Sequence, residues 1–397
     1  MLGDSKAIQS PHVKIQDRNN KDPNQICIFA STLIPGRGDP IRNTAVGIST
    51  TTGTITFVGP QSHLPPSLAS APHITTHPAT IGAAITRGLH NTLIAGITSV
   101  RDVSSYATEV APLVKKKIIL GPSIFGAGGT IGITGGSCNT YTLPVDFIYS
   151  RQGTSTSARN SYVEQCRIAV RQQIQRGARC IKIVATGGVL STTDNPQYRQ
   201  YSNSKLTAII KEASLQGRSV AMHTHSKNRI MAAVRAGAHT IKHGSYINNK
   251  AAQLIASRGV TLITTRHIIK AGLHSLETLN PKTAAKIVAI AEAHLHAYKT
   301  AMQHGVKIAL GTDIAGSNPA SQTAHGKNSA EVVLAVKAGL LPLQAIKAGT
   351  VNSAETLGRL APRKGLVQNP LKHIHLFNNP ENIRGKLLWP LLPDTQQ

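Results

Sequence analysis

Residues 175–185 read QRGARCIKIVA: the end of a helix, a glycine, then a short apolar run with one lysine inside it. The phrase recurs at 215–223 (LQGRSVAMH), 235–243 (RAGAHTIKH), 257–265 (SRGVTLITT) and 303–313 (QHGVKIALGTD), with an earlier copy at 94–103 (IAGITSVRDV). In each copy the glycine (Gly96, Gly177, Gly217, Gly237, Gly259, Gly305) falls where a helix needs a left-handed cap before the chain turns back. The helix before Gly177 sets Val163, Cys166, Val170 and Ile174 on one stripe, suited to packing on a sheet. The strands are continuously apolar, as strands covered on both faces are. Such units in series predict a parallel α/β fold. No GxGxxG loop follows the first strand, which argues against a dinucleotide-binding version. A (β/α)8 TIM-like barrel fits better, because Asp102, Lys182, His223, His243, Thr265 and Asp313 all fall where strands end. In a barrel those positions share the C-terminal rim, where such enzymes keep their active sites.

The flanks differ in texture. Residues 25–60 are strand-like runs separated by Gly, Pro and Asn turns, and HIHLF (373–377) reads as one more strand. The expected organisation is a small β domain built from both chain ends, contributed by residues 1–72 and 363–397, around a barrel at 73–362. Residues 61–78 read as a connector, and 139–160 as a long loop over the barrel mouth.

Bulk properties exclude several classes. Apolar residues make up 40% of the 397, enough for a sizeable core, and no run approaches the roughly 20 apolar residues of a membrane span. The polar, mixed-charge start resembles neither a signal peptide nor an anchor, so a cytoplasmic setting is expected. Four scattered cysteines without CxxC spacing argue against a disulfide framework or a cysteine-built zinc site. The net charge of +26 would attract anions nonspecifically. Its basic residues are nonetheless spread along the chain, KKK at 115–117 being the only run of three, and aromatics are 4%. A dedicated nucleic-acid site is therefore not expected.

Singly, the strand-end residues are ambiguous. A histidine there is ordinarily a hydrogen-bonded structural residue, and Asp313 after a strand could cap a helix. Lys182, inside an apolar strand, is costly to bury unless paired, with Asp313 for example, or neutral. A neutral lysine could react with carbon dioxide to give a carbamate that bridges two metals. Together, a His-x-His, a further His, an Asp and a Lys on successive strand ends supply nitrogen and oxygen ligands for zinc or a similar divalent ion. Such an ion activates water and polarises a carbonyl. Asp313 could then bind metal and shuttle a proton to a leaving nitrogen, which is hydrolysis of an amide or related bond.

From about residue 78 to 360 the chain resembles the metal-dependent amidohydrolase superfamily, in the imidazolonepropionase-like branch that includes Xaa-Pro dipeptidases and ochratoxinase-like amidases. The matching phrases are AGITSVRDV, GPSIFGAGGTIGITGG, IKIVATGGVLSTTDNPQYRQYS, VAMHTHS, IKHGSY, ALGTD and AHGKNSAE. The intervals agree too: 41 residues from Lys182 to His223, 20 to His243 and 70 to Asp313. The resemblance implies Lys182 as the carboxylated bridging lysine, His223 and His243 as ligands of the second metal, and Asp313 as metal ligand and acid/base. It places His225 against the substrate carbonyl and Tyr198 and Tyr201 near the substrate, which would be a small amide or dipeptide-like molecule. One or two zinc ions and assembly as a homo-oligomer are compatible with it.

Several family features are absent. The first barrel strand, ending in His-x-His, has no counterpart before the helix near Pro78; His73 and His77 are weak substitutes, four residues apart. Ser137, Cys138 and Asn139 stand where the family has His-Gly-Asp, and Lys242 stands where it has Glu. A Gly-x-x-Ala-Asp-Leu strand is missing between Gly365 and Asn369. The acidic-to-Lys or Asn exchanges share one nucleotide transition, G to A. The alternative to an active enzyme is therefore an impaired homologue from a drifted gene copy, with nonspecific anion or nucleic-acid binding through its basic surface.

Overall fold

The structure is a computed structural model. It describes residues 25–33, 41–49, 55–60, 63 and most of 78–360, with gaps at 105, 134, 139–156, 160–162, 192–193, 315 and 317–319. The expected connector, the loop at 139–160 for the most part, and the C-terminal strand lie outside the described residues, as do His73 and His77.

Two compact units divide the chain. In the first, β1 (Gln25–Leu33), β2 (Ile41–Ser49) and β3 (Ile55–Pro60) form an antiparallel three-stranded sheet. Its register runs from Gln25↔Ser49 to Leu33↔Ile41, and the β2–β3 ladder is interrupted between Gly47 and Ile48.

The second unit is α/β. After helix α1 (Pro78–Ile94), strands β4 (Ser99–Val100) and β5 (Ser123–Ile124) pair in parallel, joined through helix α2 (Ala107–Lys115). Then come β6 (Thr130–Gly132), β7 (Ser157–Arg159), α3 (Val163–Gln175), β8 (Cys180–Val184), α4 (Asn203–Leu215) and β9 (Ser219–Thr224). The series continues with α5 (Lys227–Arg235), β10 (Thr240–His243), α6 (Asn249–Ser257), β11 (Thr261–Ile263), α7 (Arg266–His274), α8 (Pro281–Gln303) and β12 (Ile308–Ala309). Helices α9 (Ala330–Ala338), α10 (Pro342–Gly349) and α11 (Val351–Glu355) close it. Seven strands form one parallel sheet in the order β12-β11-β10-β9-β8-β6-β7. Among the described residues β12 ends this sheet without a partner on its outer side.

The repeating phrase decides this fold through its glycines. All six have positive φ, between 62° and 98°. At Gly177 the amide donates to Ile174 O and Ala178 N to Gln173 O, so the left-handed residue closes α3 and throws the chain onto β8. The expected stripe on α3 is a buried face: Cys166, Ala169 and Val170 lie in the main core with Ile181, Ile183, Leu206, Ile209 and Met222. Strand β8 is buried at every position, which is why CIKIV shows no polar alternation.

One consequence of covering both faces is unusual. Lys182 and Lys242 are drawn into the interior, and Arg101 is half-buried, bonding Thr356 O and Thr240 Oγ1. Burial lowers the pKa of all three, and Lys242 is pushed well below the ordinary lysine value, with Arg101 and Lys182 adding to the effect. Lys242 occupies the position where the resemblance expects an acid.

Candidate metal centre

The ends of β9 and β10 carry three histidines into one cluster. The register sets Lys242 opposite His223 and His243 opposite Thr224, so both strands end at the same level. Ligand-capable nitrogens of His223, His225 and His243 all lie within 4.8 Å of one another. Ring centroids are 4.7 Å apart for His223 and His225, 4.5 Å for His223 and His243, and 4.9 Å for the stacked pair His225 and His243.

Outer hydrogen bonds hold each ring. His223 Nε2 lies 3.2 Å from Gly187 O, which can only accept, so Nε2 carries the proton and Nδ1 keeps its lone pair. His243 Nδ1 is 2.7 Å from Thr265 Oγ1, and that hydroxyl donates to Thr264 O at 2.7 Å. The hydroxyl proton is thereby spent, so His243 donates from Nδ1 and its Nε2 is left as a lone pair. His225 Nδ1 lies 2.8 Å from Ser245 Oγ. Orienting partners of this kind fix the tautomers of metal-bound imidazoles.

The electrostatics act in the same direction. Burial, helped by Lys182, lowers the His223 pKa to about 3, and burial pushes His225 and His243 well below their ordinary value. Neutral imidazole is the form that binds a metal. The three residues thus fit one divalent ion as donor set and charge state, and His223 and His243 also in tautomer. Replacing Thr265 by valine keeps the volume but removes the acceptor for His243 Nδ1–H. The expected result is a loss of roughly 10–100-fold in zinc affinity by competition with a chromophoric chelator.

Backbone strain collects at the same rim. His243, Thr265 and Asp313, at three successive strand ends, adopt φ of 68°, 52° and 58°. Non-glycine residues there cost of order 1–3 kcal/mol each and persist where surrounding structure over-determines them. Here the turn after β10 aims His243 back toward β9.

The other expected residues divide. Lys182 is buried on β8; burial lowers its pKa more than Asp313 raises it. Its suggested ion pair with Asp313 is not among the ion pairs of the described residues. Asp313 stands exposed on the loop after β12. His225, expected to stand apart facing substrate, is 2% exposed and is not separated by geometry from the other two histidines. Tyr198 is 71% exposed at the rim, whereas Tyr201 is 1% exposed and belongs to the core. The two tyrosines expected near the substrate thus differ in exposure, because the ring of Tyr201 joins the core cluster with Leu206 and Ile209 of α4.

Sequence reasoning missed the supports. Glu331, in AHGKNSAE, accepts from Arg266 N at 2.7 Å, His267 N at 2.6 Å and Thr264 Oγ1 at 3.1 Å, tying α9 to the end of β11. Lys286 of α8 donates to Gly188 O at 2.9 Å and Asp194 O at 3.0 Å, holding the loop whose Gly187 carbonyl orients His223. Ser245 and Glu331 lie inside quoted family phrases, the only signal they offered; Lys286 had none.

Residues 53–368 match the Amidohydrolase family. The chain belongs to that family. Ochratoxinase of Aspergillus niger is 34% identical over 413 residues, covering 90% of this chain and 84% of the ochratoxinase. The crystal structure of A. niger ochratoxinase matches with a TM-score of 0.68 at 33% identity, over 91% of this chain and 94% of that one. A crystal structure of a Xaa-Pro dipeptidase with methionine bound in the active site shares the fold, with a TM-score of 0.64 at 24% identity over 84% and 88% of the two chains. The TIM-like α/β architecture read from the repeating phrase is that of the amidohydrolases, and the chain is a hydrolase acting on carbon–nitrogen bonds. Among the described residues no helix is long and apolar enough to cross a membrane.

Proposed function

We propose that this amidohydrolase cleaves the amide bond of a small N-acyl amino acid or dipeptide-like substrate, using zinc held at the histidine cluster, in a cytoplasmic setting. The observation that carries this reading is the convergence of His223, His225 and His243 within 4.8 Å, each neutral by burial and each oriented by an outer partner. His223 Nδ1 and His243 Nε2 would hold the ion, and Asp313, beyond the next strand but one, would add an oxygen.

A divalent ion bound there supplies an activated water near neutral pH and polarises the scissile carbonyl. The Asp313 carboxylate accepts the proton of the attacking water and delivers it to the departing nitrogen. His225 Nε2, beside the other two rings, orients the substrate carbonyl, and exposed Tyr198 covers the apolar part of the substrate. Burial lowers the pKa of Lys182 and so favours the neutral amine that carbamate formation requires, and a second ion would be bridged there. The A. niger ochratoxinase relationship supports an amide as the substrate class.

Purified full-length protein, loaded with zinc and with manganese and then dialysed, tests the reading by metal analysis and by hydrolysis of N-acyl amino acids and Xaa-Pro dipeptides. Bound ion with chelator-sensitive product release is the expected outcome. Absence of both bound metal and turnover overturns it and favours an impaired homologue, a reading supported by Lys242, buried where the resemblance expects an acid.

A further inference from the structure

A second feature lies one residue beyond the histidine cluster. The loop after β8 folds back on its own strand: Thr186 bridges Arg199, Gly187 N donates to Tyr198 O at 3.1 Å and Gln200 N to Ala185 O at 2.9 Å. His225 N donates to Thr186 Oγ1 at 3.1 Å, locking this bridge against the end of β9. Between the folded-back loop and the start of α5 opens a cleft of 680 Å³, lined by Tyr198, Arg199, Ser226, Lys227, Asn228 and Arg229 among others.

The charge in this cleft is one-sided. Three cations line it, and among the described residues no carboxylate does. Asp194, the nearest acid in the loop sequence, is engaged by Lys286 at 3.6 Å and by Ser191. Arg229 is 6% exposed, yet its Nη1 and Nη2 donate to uncharged acceptors, Tyr201 O at 3.1 Å and Asn203 Oδ1 at 3.0 Å. Its Nε has no partner at all. A buried guanidinium without a counter-charge is expensive, and Arg199 adds repulsion. The cleft also receives the N-terminus of α5, where the Ser226 side chain makes no capping bond. Backbone amides and the helix dipole there favour negative charge. An uncompensated buried arginine, two exposed cations and an uncapped helix start converge on one open space.

We propose that this cleft binds a small oxyanion, a carboxylate or a phosphate, through Arg199, Lys227, Arg229 and the first amides of α5. The planar fork of Arg199 suits either group, and Lys227 supplies a point charge. The site needs no metal, so its binding can be measured whether or not the chain turns over an amide.

Titration calorimetry on metal-free full-length protein, at about 0.15 M chloride to screen diffuse attraction, tests this with inorganic phosphate, N-benzoylglycine and the uncharged amide of N-benzoylglycine. Saturable binding of phosphate or N-benzoylglycine, and none of the amide, is expected. The exposed pair Arg199→Ala/Lys227→Ala should weaken it at least about tenfold, whereas Lys211→Ala/Lys250→Ala, which removes the same charge elsewhere on the surface, should change it less than about twofold. No saturable binding, or equal loss in both double variants, overturns the proposal, the latter assigning the effect to the +26 charge as a whole. The source of the anion is read separately. Phosphate that raises the KM for an N-acyl amino acid without lowering kcat assigns the cleft to a substrate carboxylate; phosphate that binds without competing assigns it to a separate phosphate ligand.

Discussion

Replacing His223 by alanine is expected to abolish tight metal binding and to lower kcat/KM by about three orders of magnitude, or ~4 kcal/mol of transition-state stabilisation. The size follows from the site. The ring is fixed by Gly187 O, is half-buried, and stands within 4.8 Å of the other two histidine donors, so its loss leaves His243 and Asp313 to hold an ion that needs at least three protein ligands. Alanine at His296, exposed on α8, should leave both quantities unchanged. The pH behaviour is a second readout. A base whose pKa is lowered to about 3 stays neutral through the mildly acidic range, so zinc binding should not weaken through protonation near 6.5, where an exposed histidine would titrate. Zinc affinity measured between pH 5 and 8, together with steady-state rates, decides both points.

Glu331→Ala should produce the largest stability effect. The carboxylate is 1% exposed and receives two backbone amides at the start of α7 and the Thr264 hydroxyl, so its removal leaves three buried donors unsatisfied. A cost of about 3–5 kcal/mol is expected near pH 5, lowering the thermal midpoint by roughly 5–10 °C. Burial raises the carboxyl pKa to about 7, against the pull of those same hydrogen bonds. A group raised in the folded state contributes stability that is fully present below its ordinary value and lost as pH rises through about 7. Wild-type protein should therefore lose up to about 3 kcal/mol between pH 4.5 and 7.5 from this group, and the alanine variant should lack that slope. Thermal scans by circular dichroism across this range measure it. A variant with unchanged stability at pH 5 would contradict the assigned role.

Legibility from sequence followed the range of the physics involved. Helix caps are local: a glycine three residues beyond an apolar stripe adopts positive φ whatever surrounds it, so all six glycines were placed correctly. Strand ends are nearly as local: His223 and His243 lie at the ends of β9 and β10, whereas Lys182 lies mid-strand in β8, Thr265 two residues past β11 and Asp313 four past β12. Contacts across elements were not legible. Nothing in SVAMHTH distinguishes the roles of His223 and His225, because an alternating strand would send both to the same face and only the turns after β9 and β10 decide which nitrogens meet.

The supports were harder still. Glu331 is 67 residues from Thr264 and Lys286 is 98 from Gly188, and neither spacing carries a period. The burial of Tyr201 beside the exposure of Tyr198, three residues earlier, depends on how the loop folds back at the Thr186 bridge. The one-sided charge of the cleft at α5 was hidden in a chain whose basic residues are spread throughout.

What the sequence determined by itself was the alternation of helix, left-handed glycine and apolar strand, hence a parallel α/β fold with its polar groups at one rim. Period, propensity and capping act within a few residues, and these dictate it. What only the tertiary structure decided was which of those rim groups are neutral, which nitrogen of each ring is free, and where positive charge goes unanswered. Those properties depend on desolvation and on partners brought from distant segments, and no single stretch of chain contains them.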